Sequence, residues 1–205
     1  MDRRILFACG MLFPAVYIFM TILGGALRPG YSHTADTVSE LFTPGAPNKP
    51  LLDVFHVIHA LLGVLFGIGV FQFVRGSEHQ SLVGLIGAAM IIGIGVVTVA
   101  TATVFPQDAW GTPVTFPGQM HKILVLGVLL PFSILSTLLL GIWFRRAGIF
   151  PGFGTYSFVT VGIVVLLGGF SGATMGGPLM GVSERLAVLA GFQWTFTLAL
   201  KLFQL

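Results

Sequence analysis

Charged side chains are scarce in this sequence: Asp, Glu, Lys and Arg together make up 8% of its 205 residues. A soluble domain carries about a quarter charged residues, so this composition excludes an ordinary soluble domain. The net charge of +3 is small and the basic residues are dispersed, which excludes nucleic acid as an expected partner. The single cysteine, Cys9, excludes a disulfide within the chain.

Recognisable catalytic motifs are also missing. The sequence has no G-x-S-x-G elbow, no phosphate-binding loop, no haem attachment motif and no H-E-x-x-H zinc motif. Hypotheses about function therefore rest on the few polar residues between the apolar segments.

Apolar residues are abundant, at 55% of the chain, and they form long uninterrupted runs. A membrane-spanning helix needs roughly 20 such residues. The sequence predicts an all-α integral membrane bundle of six transmembrane helices, arranged as three successive hairpins in a single transmembrane domain, 1–205. The predicted spans are 5–27, 53–74, 82–104, 122–144, 158–175 and 186–205.

Small residues recur four apart in two of these spans. Gly63 and Gly67 lie in the second span, and Gly168, Gly172 and Gly176 lie in and after the fifth. This spacing is typical of helices that pack closely in membranes. We expect both glycine faces to be structural.

Basic residues predict the orientation, because Lys and Arg are enriched in cytoplasmic loops. The pairs Arg3-Arg4 and Arg145-Arg146 directly flank spans at the end that carries both termini. We therefore expect a multi-pass protein of the cell membrane with both termini in the cytoplasm. Five of the seven acidic residues and four of the five histidines then lie outside: Asp36, Glu40, Asp53, Asp108, Glu184, His33, His56, His59 and His121.

Asp53, His56 and His59 recur every third residue at the start of the second span. On a helix, that spacing places all three on one broad face. Two imidazoles and a carboxylate can hold Zn²⁺ or another divalent metal, with one position left for water or substrate. The alternative is a pair of interfacial histidines that bond to the loop above, with Asp53 at the positive end of the helix dipole.

The segment FPQDAWGTPVTFPGQMH carries a second candidate pair, Asp108 and His121. A carboxylate and an imidazole can act together as acid and base, or join the first cluster as further ligands. Charges at the mouth of a bundle are costly without partners, which favours a defined role for both. Trp110 between them is an interfacial anchor or a substrate contact.

Glu184 and Arg185 open the sixth span. We expect a buried pair that ties this hairpin to the first loop, with Arg185 bound to the carboxylate of Glu40 or Asp36. The alternative is binding of an anionic headgroup by Arg185. Ser39, in the first loop, is a nucleophile only if a histidine lies beside it.

Taken in order, these motifs resemble a known family. The order GYS (30–32), SEL (39–41), FPxD (105–108), a lone histidine at 121 and GxxER (181–185) resembles a bacterial and archaeal membrane family, domain of unknown function 998. The resemblance covers nearly the whole chain and implies the six-span layout and a prokaryotic source. It also implies a shared polar cluster: Ser39, Glu40, Asp108, His121, Glu184 and Arg185. It implies no particular reaction.

The interpretation that the residues favour is a membrane-embedded enzyme, a hydrolase or transferase acting on a lipid-like or isoprenoid substrate, because titratable groups concentrate in an otherwise apolar chain. The candidate catalytic residues are Asp108, His121 and Glu40, and the candidate substrate-binding residues are Arg185, Glu184, Tyr31, Ser39 and Trp110. One alternative is a binder or transporter of a lipid or small molecule, with a polar face along Gln193 and Thr197. Another is a structural accessory subunit. Membrane lipids are expected partners in each case.

Overall fold

In the computed structural model, residues 2–205 form seven α-helices. They are α1 (Arg3–Leu27), α2 (Lys49–Arg75), α3 (Leu82–Thr103), α4 (Phe116–Leu124), α5 (Leu130–Ala147), α6 (Phe153–Ala173) and α7 (Met180–Phe203). A π-helical turn, Val125–Leu129, joins α4 and α5 into one long helix. Six helices in the described chain are therefore long and apolar enough to cross a membrane, which confirms the predicted all-α architecture.

The six spanning helices close into a ring. Each packs on its neighbours in the chain, α3 packs on α5, and α7 returns to pack on α1. Because successive spans cross in opposite directions, residues 28–48, 104–115 and 174–179 meet at one end, which we call the loop end. Both termini lie at the opposite, terminal end. The ring brings the first and last hairpins side by side.

Several helices begin earlier than the predicted spans. Thr115 caps α4 by accepting from the backbone N–H of Gly118 (3.2 Å), and Pro117 stands in the first turn, where proline is compatible with a helix. The helix thus starts at Phe116, whereas the apolar run that predicted the span starts at Lys122. Hydropathy detects only the apolar part of a helix. Capping and backbone hydrogen bonds extend the helix into the polar residues that precede this part.

Of the two glycine faces, only the one on α2 is used within the chain. A Cβ at Gly67 would lie 2.7 Å from the backbone nitrogen of Ile92, so α2 and α3 approach closely there. This confirms the predicted close packing for Gly63 and Gly67. Gly168 and Gly172 on α6 have no heavy atom of the described residues within 4 Å of such a Cβ, so that prediction is wrong for packing inside the monomer.

A small apolar cluster anchors the first loop to the bundle. Val38, Leu41 and Phe42 are buried against Met20 of α1 and Leu52 of α2. Leu41 and Phe42 belong to a short 3₁₀ helix, Ser39–Phe42. Each large apolar side chain that leaves water contributes roughly 1.5–3 kcal/mol, so this cluster holds the loop in place over the ring.

Candidate functional site

Arg185 is the main link between α7 and the first loop. Its Nη1 donates to the backbone carbonyls of His33 (2.8 Å) and Asp36 (2.9 Å), and also to that of Gly181 (2.8 Å). Its Nη2 donates to the hydroxyl of Tyr31 (2.5 Å), whose ring also lies against the guanidinium, 5.7 Å from centroid to Cζ. One side chain therefore joins residues about 150 positions apart.

The expected tie between the hairpins is present, but the predicted carboxylate partner of Arg185 is wrong. The Asp36 carboxylate accepts from the backbone N–H of Ser32 (2.8 Å), and only its carbonyl meets Arg185. Among residues 2–205 the one salt bridge joins Lys49 and Asp53 (2.6 Å). The acceptors around Arg185 are neutral because the loop folds its own backbone carbonyls towards the guanidinium.

Glu184 and Glu40 also bond to the loop backbone. Glu184 accepts from the backbone N–H of Val38 (2.8 Å), a second long-range link between α7 and the loop. Glu40 accepts from the backbone N–H of Thr37 (2.9 Å), and its own carbonyl accepts from Arg28. Both carboxylates therefore have defined structural partners at the loop end.

Tyr31 completes this cluster of polar groups. Its hydroxyl donates to the carbonyl of Thr37 (2.8 Å) while it accepts from Arg185. Burial is the main cause that raises the pKa of Tyr31 to about 12, and the neighbouring Arg185 opposes this shift. The hydroxyl therefore stays protonated at neutral pH and keeps both hydrogen bonds.

Asp108 is bound locally. Its carboxylate accepts from the hydroxyl (2.7 Å) and the backbone N–H (2.8 Å) of Thr115, which closes the loop between α3 and α4. These two hydrogen bonds lower the pKa of Asp108 below its ordinary value. The side chain lies beside the backbone of Gly118 at the start of α4, where a helix favours negative charge.

His121 is buried in the first part of α4, with 8% of its surface exposed. Its Nδ1 lies 2.8 Å from the carbonyl oxygen of Phe105. A carbonyl oxygen can only accept, so Nδ1 carries the proton and Nε2 presents a lone pair. Within residues 2–205 the structure places no hydrogen bond between His121 and Asp108, so the predicted acid–base pair is not directly bonded.

Asp53, His56 and His59 share one side of α2 but do not converge on a point. Asp53 pairs with Lys49, and the Nδ1 of His59 donates to the carbonyl of Phe13 (2.8 Å) while the two rings stack. His56 lies against Phe42, with ring centroids 4.7 Å apart. No three metal-ligating side chains among residues 2–205 are arranged to hold a metal ion, so the geometry does not support the predicted Zn²⁺ site.

Two polar atoms of this face lack partners. Oδ1 of Asp53 and Nδ1 of His56 are buried without a hydrogen bond to any residue from 2 to 205. The alternative hypothesis, in which both histidines bond to the loop above, is therefore not what the structure shows. His59 bonds downward to α1 instead.

Ser39 and Trp110 are not brought into the Arg185 cluster. Ser39 begins the 3₁₀ helix. Its hydroxyl makes no hydrogen bond with residues 2–205, and therefore none with a histidine. Trp110 is 54% exposed and lies over the turn at Gly176, between α6 and α7. Of the predicted substrate-binding residues, Arg185, Glu184 and Tyr31 come together, while Ser39 and Trp110 stand apart.

The polar face on the last helix joins it to α6. Gln193 donates to the hydroxyl of Thr160 (3.2 Å), and the hydroxyl of Tyr156 bonds to Gln193 and to Thr197 (3.2 Å). These are interhelical hydrogen bonds of the kind that hold membrane helices together. Because these side chains bond α6 to α7, the space that a transport path along this face would need is occupied.

An open groove lies between α1 and α7, beneath the first loop. Its volume is about 300 Å³, and it is lined by Tyr17, Ile18, Thr21, Ile22, His33, Arg185 and Leu189. A second cavity, on the axis of the ring, has a volume of only about 40 Å³. That space suits a few water molecules, whereas the groove is large enough for an organic ligand.

Sequence reasoning missed most of the residues of the groove. Tyr17 and Thr21 lie four apart in the first span, the spacing of one helix face, and this was the signal that could have found them. His33 was noted as an outward histidine without a role. That α1 and α7 are neighbours follows only from closure of the ring.

Comparison with known proteins then gives the class of this chain. A family model described as "Protein of unknown function (DUF998)" matches residues 8–201. The chain therefore belongs to this family, as the order of its motifs predicted, and it is a multi-pass membrane protein. No curated protein and no solved structure matches it.

Proposed function

We propose that the protein binds an amphiphilic, lipid-like molecule in the groove between α1 and α7. The observation that carries this proposal is the position of the groove on the lipid-facing surface of the ring. Ile18, Ile22 and Leu189 line it and are 42%, 60% and 39% exposed, so its apolar floor opens towards the acyl chains of a bilayer.

The polar and apolar parts of the groove are ordered along the helices. Arg185 lies in the second turn of α7, about 8 Å from the start of the helix at 1.5 Å per residue. Leu189 lies one turn deeper, and His33 covers the top. A molecule with a polar head and an apolar chain matches this order, because pockets orient ligands by a few polar groups in an apolar lining.

Binding is better supported than catalysis. The candidate catalytic residues Asp108, His121 and Glu40 do not line the groove, and Asp108 and Glu40 are engaged by nearby backbone groups. These hydrogen bonds explain why charged residues occur at positions 108 and 40 without any catalytic role.

A hydrolase or transferase activity is the second candidate, and one observation favours it. His121 is buried with Nδ1–H fixed by a carbonyl, which leaves the lone pair of Nε2 to act as a general base. A lipid substrate would then have to reach α4 rather than the groove.

The test of binding is native mass spectrometry of the protein purified in mild detergent and titrated with dioleoyl lipids. Ile22→Trp places a larger ring in the groove from an exposed position, and Leu12→Trp, at 52% exposure on the same helix, is the matched control. We expect lipid adducts in wild type and Leu12→Trp, and their loss in Ile22→Trp. Equal adducts in both variants would contradict a binding site in the groove.

The test of catalysis is incubation with the same lipids and analysis of the products by mass spectrometry. His121→Gln keeps a side chain that can bond to the Phe105 carbonyl but removes the basic nitrogen. Turnover by wild type and none by this variant, at unchanged thermal stability, would place catalysis ahead of binding alone.

A further inference from the structure

We propose that the groove selects lipids whose phosphate-containing headgroup carries a net negative charge. This inference rests on the proposed binding function and names the class of headgroup. It starts from the charge of Arg185, which lines the groove and has no carboxylate within ion-pair distance among residues 2–205.

The neighbouring acids do not neutralise this charge by contact. Glu184 is turned to the backbone N–H of Val38, and the Asp36 carboxylate is turned to that of Ser32. Arg185 itself donates through Nη1 and Nη2 only to carbonyl and hydroxyl oxygens. Its Nε has no acceptor in the described chain. A half-buried cation whose direct hydrogen-bond partners are neutral and which keeps a free donor favours an anionic ligand.

Two further polar groups line the same groove without partners. The hydroxyl of Tyr17 and the imidazole of His33 make no hydrogen bond to residues 2–205, whereas the Thr21 hydroxyl is satisfied by the carbonyl of Ile18 (2.9 Å). The groove therefore presents three unused polar groups, on α1, on the first loop and on α7. A phosphate offers several acceptor oxygens, which matches donors that approach from different elements.

The depth of these groups indicates a lipid rather than a free ion. Arg185 lies near the start of α7, and Ile22 and Leu189 continue the groove along the lipid-facing surface. A lipid places its phosphate above its chains in the same order. Free phosphate would satisfy the polar groups but leave the apolar floor unoccupied.

The experiment is a native mass spectrometry titration with lipids that share two oleoyl chains and differ in the headgroup: phosphatidylglycerol, phosphatidylcholine and diacylglycerol. Inorganic phosphate alone is a fourth ligand. We expect phosphatidylglycerol to bind about ten-fold more tightly than the other two lipids, because the choline cation of phosphatidylcholine is repelled by Arg185 and diacylglycerol has no phosphate to accept charge-assisted hydrogen bonds. Inorganic phosphate at the same concentration should not bind.

Tyr17→Phe sharpens the test because it removes one hydroxyl and keeps the ring. We expect it to lower the affinity for phosphatidylglycerol several-fold and to leave diacylglycerol, which has no phosphate, unchanged. Tyr156→Phe, which removes a hydroxyl of α6 that bonds to Gln193, is the control and should leave the preference intact.

The outcomes separate the two proposals. Equal binding of all three lipids, lost in Ile22→Trp, would overturn the headgroup preference and leave the groove as a lipid site. Binding of inorganic phosphate as tightly as phosphatidylglycerol would overturn the lipid as its source. Absence of any lipid adduct would overturn the proposed function itself.

Discussion

Two segments at the loop end are similarly polar in sequence: the start of α7 and the loop between α3 and α4. They differ in how far along the chain their hydrogen-bond partners lie. Glu184 and Arg185 bond to residues of the first loop, about 150 positions away in the chain. Asp108 bonds only to Thr115, seven positions away. The first segment holds the ring closed at this end, and the second closes only its own loop.

This difference shows that a polar sequence motif does not indicate whether its hydrogen-bond partners lie near or far along the chain. Both segments place a charge at the mouth of an apolar bundle, where it needs a partner. Asp108 finds its partner seven positions along the chain, at the start of α4. Arg185 finds its partners only because the ring returns α7 to α1. The predictions below test whether stability follows this contrast.

The largest effect is expected for Arg185→Ala. It removes four hydrogen bonds and leaves loop carbonyls without their donor, so we expect the free energy of unfolding to fall by about 3 kcal/mol. Denaturant titration in detergent micelles measures this change. Arg75→Ala, at an exposed arginine of the terminal end, is the control. Equal effects of the two variants would contradict the special role of Arg185.

A glycine-to-alanine substitution in each segment compares them directly. A Cβ at Gly181 would overlap with the backbone carbonyl of Asp36, whereas one at Gly118 would overlap with the end of the Asp108 side chain. A backbone held by Arg185 cannot move aside, but an exposed carboxylate can. We expect Gly181→Ala to lower the free energy of unfolding by about 2 kcal/mol and Gly118→Ala by clearly less. The reverse order, from the same titration, would argue against the contrast.

Tyr31→Phe tests the neutral partner of Arg185. The substitution removes one hydroxyl that accepts from Arg185 and donates to Thr37, and it keeps the ring against the guanidinium. We expect a loss of about 1–1.5 kcal/mol in the free energy of unfolding. In the Arg185→Ala background the same substitution should cost less, because the two side chains share a hydrogen bond. Strict additivity in this double-mutant cycle would show that they act independently.

The smallest effect is expected for Asp108→Asn, and it should depend on pH. The folded-state pKa of Asp108 is lower than its ordinary value of 3.8. Its ionised form therefore stabilises the fold above that value, and this contribution disappears as the pH falls through the folded-state pKa. We expect the small difference in melting temperature between wild type and Asp108→Asn to be constant from pH 7 to pH 5 and to shrink as the pH falls below about 4, towards the folded-state pKa. A difference that grows on acidification would contradict the sign of the shift.

Much of the fold could be predicted because apolar length and helix count follow directly from the sequence. The helix boundaries at the loop end could not, since Thr115 and the first turn of α4 are polar and a hydropathy pattern excludes them. The tie between Glu184-Arg185 and the first loop was also anticipated, because charged groups at membrane depth are costly without partners. The choice of backbone carbonyls over carboxylates was not, because it depends on how the first loop folds around Arg185.

By itself the sequence determined the class of the protein: a chain this poor in charge and rich in long apolar runs can bury its backbone groups in a bilayer only as helices. It also determined which polar residues lie at the loop end. The tertiary structure alone decided their roles, because ring closure places α1 beside α7 and creates the groove. Residues such as Tyr17 and Arg185 acquire a common surface only through that contact, which no local pattern encodes.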